Sequence, residues 1–256
     1  PADLVETELE EFARLLFGIS MIGELTPRTL DLVMSFGERM SHKVFADVLR
    51  REFDLNAKAA TAYDLGLLTD GQFGSAQPDK SCYPQIASQV HDLKADAVVT
   101  TGFLGKGPDG HITTLGRGGS DYSATIFGAA LGAKEVQIWT DVDGVMTADP
   151  SMFETAHSIP ELSFLEASEL AWYGAQVLHP LTMVPAIEHD IPVRILNTMR
   201  PDHPGTRVVP ETVSSASVAK SIVYKEHINL VTITSSGMLG TPGFMAKVFE
   251  VFGRHK

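Results

Sequence analysis

Residues 113–150 read TTLGRGGSDYSATIFGAALGAKEVQIWTDVDGVMTADP, and their order decides the fold. Gly116, Gly118 and Gly119 lie within four residues, and Ser120 and Asp121 follow where a helix cap belongs. Tyr122 to Leu131 is small and apolar, which predicts a buried helix, and Val136 to Thr140 alternates as a strand. An acidic loop from Asp141 to Pro150 closes the stretch. Working outward, Ala95 to Thr100 predicts an earlier strand. Ser163 to Tyr173 predicts a helix, with Glu166 and Glu169 as its polar positions. Ile191 to Leu196 predicts a third strand, with Pro192 marking its start or an edge. Strands separated by helices imply an α/β domain with a mainly parallel sheet. Such sheets bind ligands at the carboxyl ends of their strands, so the loops after Thr100, Thr140 and Leu196 are the places for a site.

Towards the N-terminus, Leu4, Val5, Leu9, Phe12, Leu15 and Leu16 recur at helical spacing, with Gly18 as the expected stop. Thr26 and Pro27 read as a cap and first helical position. Asp31 to Glu38 fits either a helix end or a short strand, and a second helix is expected over Ser41 to Arg51. At the other end, Pro210 to Ala219 reads as a linker. Ile228 to Thr234 reads as a strand, Ser235 to Gly243 as a glycine-rich loop and Phe244 to Phe252 as an apolar helix. The expected division is residues 1–210 for the α/β domain and 211–256 for the linker and the opening of a small α+β unit.

A chain of 256 residues buries a core large enough to need no staple. Its net charge of −12 argues against unspecific binding to nucleic acid or to an anionic membrane. The single cysteine, Cys82, excludes an internal disulfide and a cysteine-based zinc site, and points to a reducing, intracellular compartment. No run of apolar residues is long enough to span a bilayer.

Four segments carry chemistry. In the glycine-rich turn, backbone amides and a helix start can meet an anion, and Arg117 adds a planar two-pronged donor for carboxylate or phosphate. The alternative is a simple capped turn. After the second strand, Asp141 and Asp143 before Gly144 suit Mg²⁺ or a nucleotide. A calcium loop is excluded, because it would need a glycine where Met146 stands. A haloacid-dehalogenase-type phosphatase would make Asp141 a nucleophile and Asp143 an acid, but Val145 stands where that family has threonine. A surface turn is the plainest alternative. Glu38, behind Gly37, could hold an ammonium group or be a solvated neighbour of Arg39. His179 before Pro180 reads as structural, and no Ser/His/Asp or Cys/His set can be argued from spacing.

Taken in order, SFGE (35–38), TTLGRGGSDYSA (113–124), WTDVDGVMTADP (139–150), YGAQVLHP (173–180), IPVRILNT (191–198) and PGT (204–206) closely resemble the aspartate kinase family of the amino-acid-kinase superfamily. The resemblance runs from about Gly23 to the C-terminus. It implies a three-layer α/β fold with a mainly parallel sheet, followed by the start of a regulatory α+β ACT domain. It also implies transfer of phosphate from ATP, as MgATP, to the side-chain carboxylate of L-aspartate, the entry step to lysine, threonine and methionine. By resemblance Glu38 holds the aspartate ammonium and Arg117 a substrate carboxylate, with Ser120 and Asp121 beside it; Arg117 and Asp121 are the catalytic candidates. Thr140, Asp141, Met146, Gln176 and Val177 line the nucleotide site, with no dedicated protein metal site. Met238, Thr241 and Met245 fall in the region that would bind an amino-acid effector. The family is found in bacterial cytoplasm and the plastid stroma, and a homodimer or larger homo-oligomer is expected of the parent.

Departures qualify the resemblance. The family begins with a strand ending in Lys-Phe-Gly-Gly-Thr-Ser, whose lysine bridges the transferred phosphate. No such segment is present, and Lys43, Lys58, Lys94 and Lys106 stand in other contexts. Gln176 replaces a lysine common in bacterial members, and Ser151 a frequent arginine. The sequence therefore reads as a fragment of an aspartate kinase with little turnover of its own. A noncatalytic amino-acid- or nucleotide-binding module is the alternative, ahead of the phosphatase.

Overall fold

The computed structural model describes residues 2–173, 180–211, 219–224, 232–234 and 243–254. Two compact units are present, residues 1–224 and 225–256. The first begins with α1 (Glu6–Ile22) and α2 (Pro27–Phe53). Helix α1 runs through Gly18 and ends on left-handed Gly23, whose N–H returns to the Ile19 carbonyl. The expected stop at Gly18 is therefore displaced by one turn. A glycine inside a helix costs only about 1 kcal/mol, and neighbouring turns override it.

A larger correction concerns 27–53. The sequence suggested a break near 31–38, but one continuous helix spans both predicted pieces. Thr26 caps it, its hydroxyl accepting from Thr29 N–H at 3.2 Å, and Pro27 occupies the first turn. Asp31, Ser35, Phe36, His42 and Ala46 are buried. Polar members on that buried face concealed its continuity, so 31–38 read as a helix end or a short strand. Glu38 thus sits in mid-helix, not behind a glycine turn.

Parallel strands β1 (Ala57–Ala60) and β2 (Ala97–Thr100) pair in register from Ala57–Ala97 to Ala60–Thr100. A hairpin of β3 (Leu104–Lys106) and β4 (Ile112–Thr114) follows β2, and α3 (Tyr83–Asp92) lies between β1 and β2 in sequence. Helix α2 packs on β1, β2 and β4. The main sheet contains β5 (Val136–Thr140), β6 (Glu161–Ser163), β7 (Val193–Asn197) and β8 (Thr206–Val209), in the order β5-β7-β8-β6. Pairs β5–β7 and β6–β8 are parallel, while β7–β8 is antiparallel. The α/β class and the mainly parallel pairing follow the sequence expectation. Pro192 immediately precedes β7, where a residue without an N–H leaves the ladder intact.

Helices α4 (Gly119–Leu131), α5 (Phe164–Tyr173) and α6 (Val184–Glu188) complete the first unit. A capping box starts α5: Ser163 N–H donates to Glu166 Oε2 at 2.7 Å and Glu166 N–H to Ser163 Oγ at 3.1 Å. One apolar cluster joins α3, α4, β5 and β7 through Ile86, Ile126, Phe127, Val136, Ile138, Val193 and Ile195. In the second unit α7 (Phe244–Arg254) is described, with Phe249 and Phe252 exposed. The strand expected at 228–234 lies largely outside the described residues. Among the described residues no helix is long and apolar enough to cross a membrane.

The turn into β8 is sterically fixed. Gly205 has φ +67°, and a Cβ there would overlap the backbone carbonyl oxygen of Ile195. Because both the conformation and the space exclude a side chain, Gly205→Ala should lower unfolding free energy by about 3 kcal/mol or more. Urea denaturation against the wild-type chain measures this. A loss below 1 kcal/mol would show that the turn is free to relax.

Candidate functional site

At the end of β2 the chain turns sharply, and α2 reaches it. Thr101 is fully buried, its hydroxyl accepting from Ala62 N–H at 2.9 Å. Gly102 N–H donates to Glu38 Oε2 at 2.7 Å. Phe103 follows with φ +64°, unusual for a bulky residue. Its N–H donates to Ser123 Oγ at 2.8 Å and its carbonyl accepts from Leu115 N–H at 2.9 Å. Helix α4 fits closely here. A Cβ on Gly119 would stand 2.5 Å from the Phe103 ring, and one on Gly102 would stand 3.2 Å from Ser120 Oγ.

These contacts bring Glu38, Gly102 and Ser120 together, with Arg117 and Asp121 on the same turn and helix. The expected cap is corrected: left-handed Gly118 is the N-cap, without a side-chain cap bond, and Ser120 and Asp121 lie inside the first turn. The amides of that turn lack intrahelical acceptors and carry the positive end of the helix dipole. Arg117 is exposed and, among the described residues, makes no hydrogen bond or ion pair. Asp121 is half-buried, and burial pushes its carboxyl above the usual carboxylate range. The arrangement offers a carboxylate, a free guanidinium and unfilled amides to one small ligand of mixed charge.

The second cluster lies beyond β5. Thr140 Oγ1 donates to Asp141 Oδ1 at 3.2 Å, and Asp141 is exposed. Gly144 has φ +111°, and a Cβ there would overlap the Thr206 hydroxyl. That buried hydroxyl accepts from Val145 N–H at 2.8 Å and donates to the Ile159 carbonyl at 2.6 Å. Met146 is half-buried, and its carbonyl accepts from Ser221 Oγ at 3.0 Å. Asp149 receives the N–H and hydroxyl of Ser151, which hold its carboxyl below the usual range. Gln176, Val177, His179, Met238 and Thr241 lie outside the described residues. Met245 is exposed on α7 in the second unit.

Both clusters occupy one end of the α4–β5 pair. Helix α4 is roughly 20 Å long and β5 roughly 17 Å. A short connection reverses the chain between them, so the end of β5 returns to the level of the start of α4. The pair is in direct contact, since a Cβ on Gly128 would overlap Val136. The described groove lined by Val5, Gly37, Met40, Ser41, Val44, Phe45 and Val48 contains none of these candidates.

Several contributors escaped the sequence reading: Asp31, Thr101, Phe103, Thr206, and Asn197 and Arg200, which bind the Asp143 that the sequence had singled out. Among the missed residues only Asp31 left a signal. It stands seven residues before Glu38, two helical turns along the same face.

Residues 5–197 match the model of the amino acid kinase family. The chain is 46% identical over 253 residues to aspartokinase 1, chloroplastic, of Arabidopsis thaliana, covering 97% of this chain and 44% of that protein. It is 38% identical to lysine-sensitive aspartokinase 3 of Escherichia coli, covering 96% of this chain and 56% of that one. The crystal structure of E. coli aspartokinase III in complex with aspartate and ADP superposes with a TM-score of 0.81 at 34% identity, covering 99% of this chain and 56% of that one. The chain thus spans about half the length of the curated relatives it matches.

The raised pKa of Asp121 has a signed consequence. Its ionised form is the disfavoured one in the fold, so the penalty is complete above the folded pKa. The penalty fades as pH falls through that value towards the unfolded one, about 3.9. Asp121→Asn should therefore raise the melting temperature at pH 7, and its advantage should shrink as pH approaches 4. Melting curves across pH 4–7 check this. A constant difference would mean that burial of the charge is not the cause.

Proposed function

Because the chain belongs to the amino acid kinase family, we propose that it carries the aspartate- and nucleotide-binding halves of an aspartate kinase. The reaction moves the γ-phosphoryl group of ATP to the side-chain carboxylate of L-aspartate, giving 4-phospho-L-aspartate and ADP. Two anions must be brought together, so positioning and charge neutralisation supply most of the catalysis. The observation that carries this reading is the bond of Glu38 to Gly102, beside the start of α4, whose turn presents an exposed Arg117 without an ion pair among the described residues. An amino acid with both an ammonium and carboxylates complements that set.

In this reading Glu38 holds the ammonium group, and Arg117 and the first-turn amides grip a carboxylate. Ser120 and Asp121 border the same pocket. Thr140, Asp141 and Met146 border the nucleotide, with Gln176 and Val177 as further proposed neighbours. Mg²⁺ enters with the nucleotide as MgATP. The residues from 211 onward would open an effector-binding ACT unit, with Met238, Thr241 and Met245 as its candidates. A homo-oligomeric parent is part of the same proposal.

Calorimetric titration of the 256-residue chain with L-aspartate, and separately with ADP, tests the reading directly. Loss of a charge-assisted two-pronged contact costs about 2–5 kcal/mol. Arg117→Ala should therefore weaken L-aspartate binding by about 30-fold or more and leave ADP binding unchanged. Arg117 has no side-chain partner among the described residues, so the melting temperature of this variant should hold. Unaltered aspartate affinity in Arg117→Ala would refute the assignment.

A further inference from the structure

We propose that Asp143 is a positioning residue for the nucleotide, clamping the loop after β5 to the end of β7. This rests on the nucleotide reading above and adds a residue that the family resemblance did not assign. Asn197 closes β7, is almost fully buried, and donates from Nδ2 to Asp143 Oδ1 at 2.8 Å. The Arg200 guanidinium pairs with the other oxygen, Oδ2. Asn197 is held in turn, its Oδ1 accepting from Met199 N–H at 2.9 Å.

Both carboxylate oxygens are thus committed to protein donors. Asp143 therefore acts on a ligand through loop geometry and not by touching it. The loop needs such a hold. At its base the Thr140 carbonyl accepts from Thr198 N–H at 2.8 Å, and at its far end Val145 is fastened to Thr206. Between these anchors lie Asp141, Val142, Asp143 and Gly144, and among the described residues exposed Asp141 has only the neighbouring Thr140 hydroxyl as a side-chain partner. Asp143 is the side chain that fixes the middle of this span. A displacement on the order of 1 Å at a positioned group can cost about 100-fold in function, so the clamp decides where Thr140 and Asp141 meet a nucleotide.

The test titrates the intact chain with ADP and with L-aspartate. Asp143→Ala should weaken ADP binding about tenfold and leave L-aspartate binding within twofold, because the Glu38–Arg117 cluster is held by other contacts. Asp143→Asn can still accept from Asn197 and should recover most of the ADP affinity. Arg200→Met, at an exposed position, should give a smaller loss in the same direction and serves if Asp143→Ala fails to fold. Equal loss for both ligands would show a merely structural role and overturn the proposal. Unchanged ADP affinity in Asp143→Ala or, if that variant fails to fold, in Arg200→Met would overturn the clamp alone. If the wild-type chain binds neither ligand, the functional reading falls and the clamp with it.

Discussion

A buried carboxylate organises the side of this molecule on which Glu38 meets Gly102. Asp31 is 1% exposed. It accepts from Gly74 N–H at 3.0 Å, Thr114 N–H at 2.9 Å and Thr114 Oγ1 at 2.9 Å. Burying an ionised carboxylate costs several kcal/mol unless donors replace its water. Three protein donors do so here, and among the described residues no cation pairs with it. The bonds join α2 to β4 and to the loop at Gly74, just before the chain enters the Gly116–Gly119 turn. Two helical turns further along α2, about 10 Å away, Glu38 bonds to Gly102. One rigid helix therefore sets the distance between the glycine-rich turn and the end of β2.

Close approach is the second theme. Gly119 lies against Phe103, Gly128 against Val136, Gly144 against Thr206 and Gly205 against Ile195. Each contact excludes a Cβ, and together they bring α4 and the two loops onto the sheet. Phe103 is held in a left-handed conformation that costs about 1–3 kcal/mol. Its backbone N–H and carbonyl are both engaged by the segment at the start of α4. Strain kept in place by the surrounding bonds, at the border of the proposed aspartate pocket, fits a pre-shaped site.

The two clusters differ in how they are held. The first is built on α2, β2 and α4, with Arg117 and the Ser120 and Asp121 amides left open among the described residues, while Gly119 N–H donates to the Gly116 carbonyl. In the second, loop carboxylates are occupied by protein donors: Asp143 by Asn197 and Arg200, and Asp149 by Ser151. The first cluster is therefore open to direct charge contacts, while the second is fixed chiefly in loop shape.

The sequence alone determined the α/β class, strands over 95–100 and 136–140 and helices over 122–131 and 163–173, which the structure has at 97–100, 136–140, 119–131 and 164–173. Hydrophobic periodicity and glycine turns are local signals, and these elements obey them. It split α2 in two, reading 31–38 as a helix end or a short strand, because that helix buries the polar residues Asp31, Ser35 and His42, and the partners of Asp31 lie far along the chain. It placed Glu38 behind a glycine turn, whereas the structure has it in mid-helix. Gly102, which Glu38 bonds, lies 64 residues away, and the Asp143–Asn197 bond spans 54 residues. No local pattern encodes such pairings. They exist because parallel strands with intervening helices return distant loops to one end of a sheet, and only the tertiary structure decided which side chains meet there.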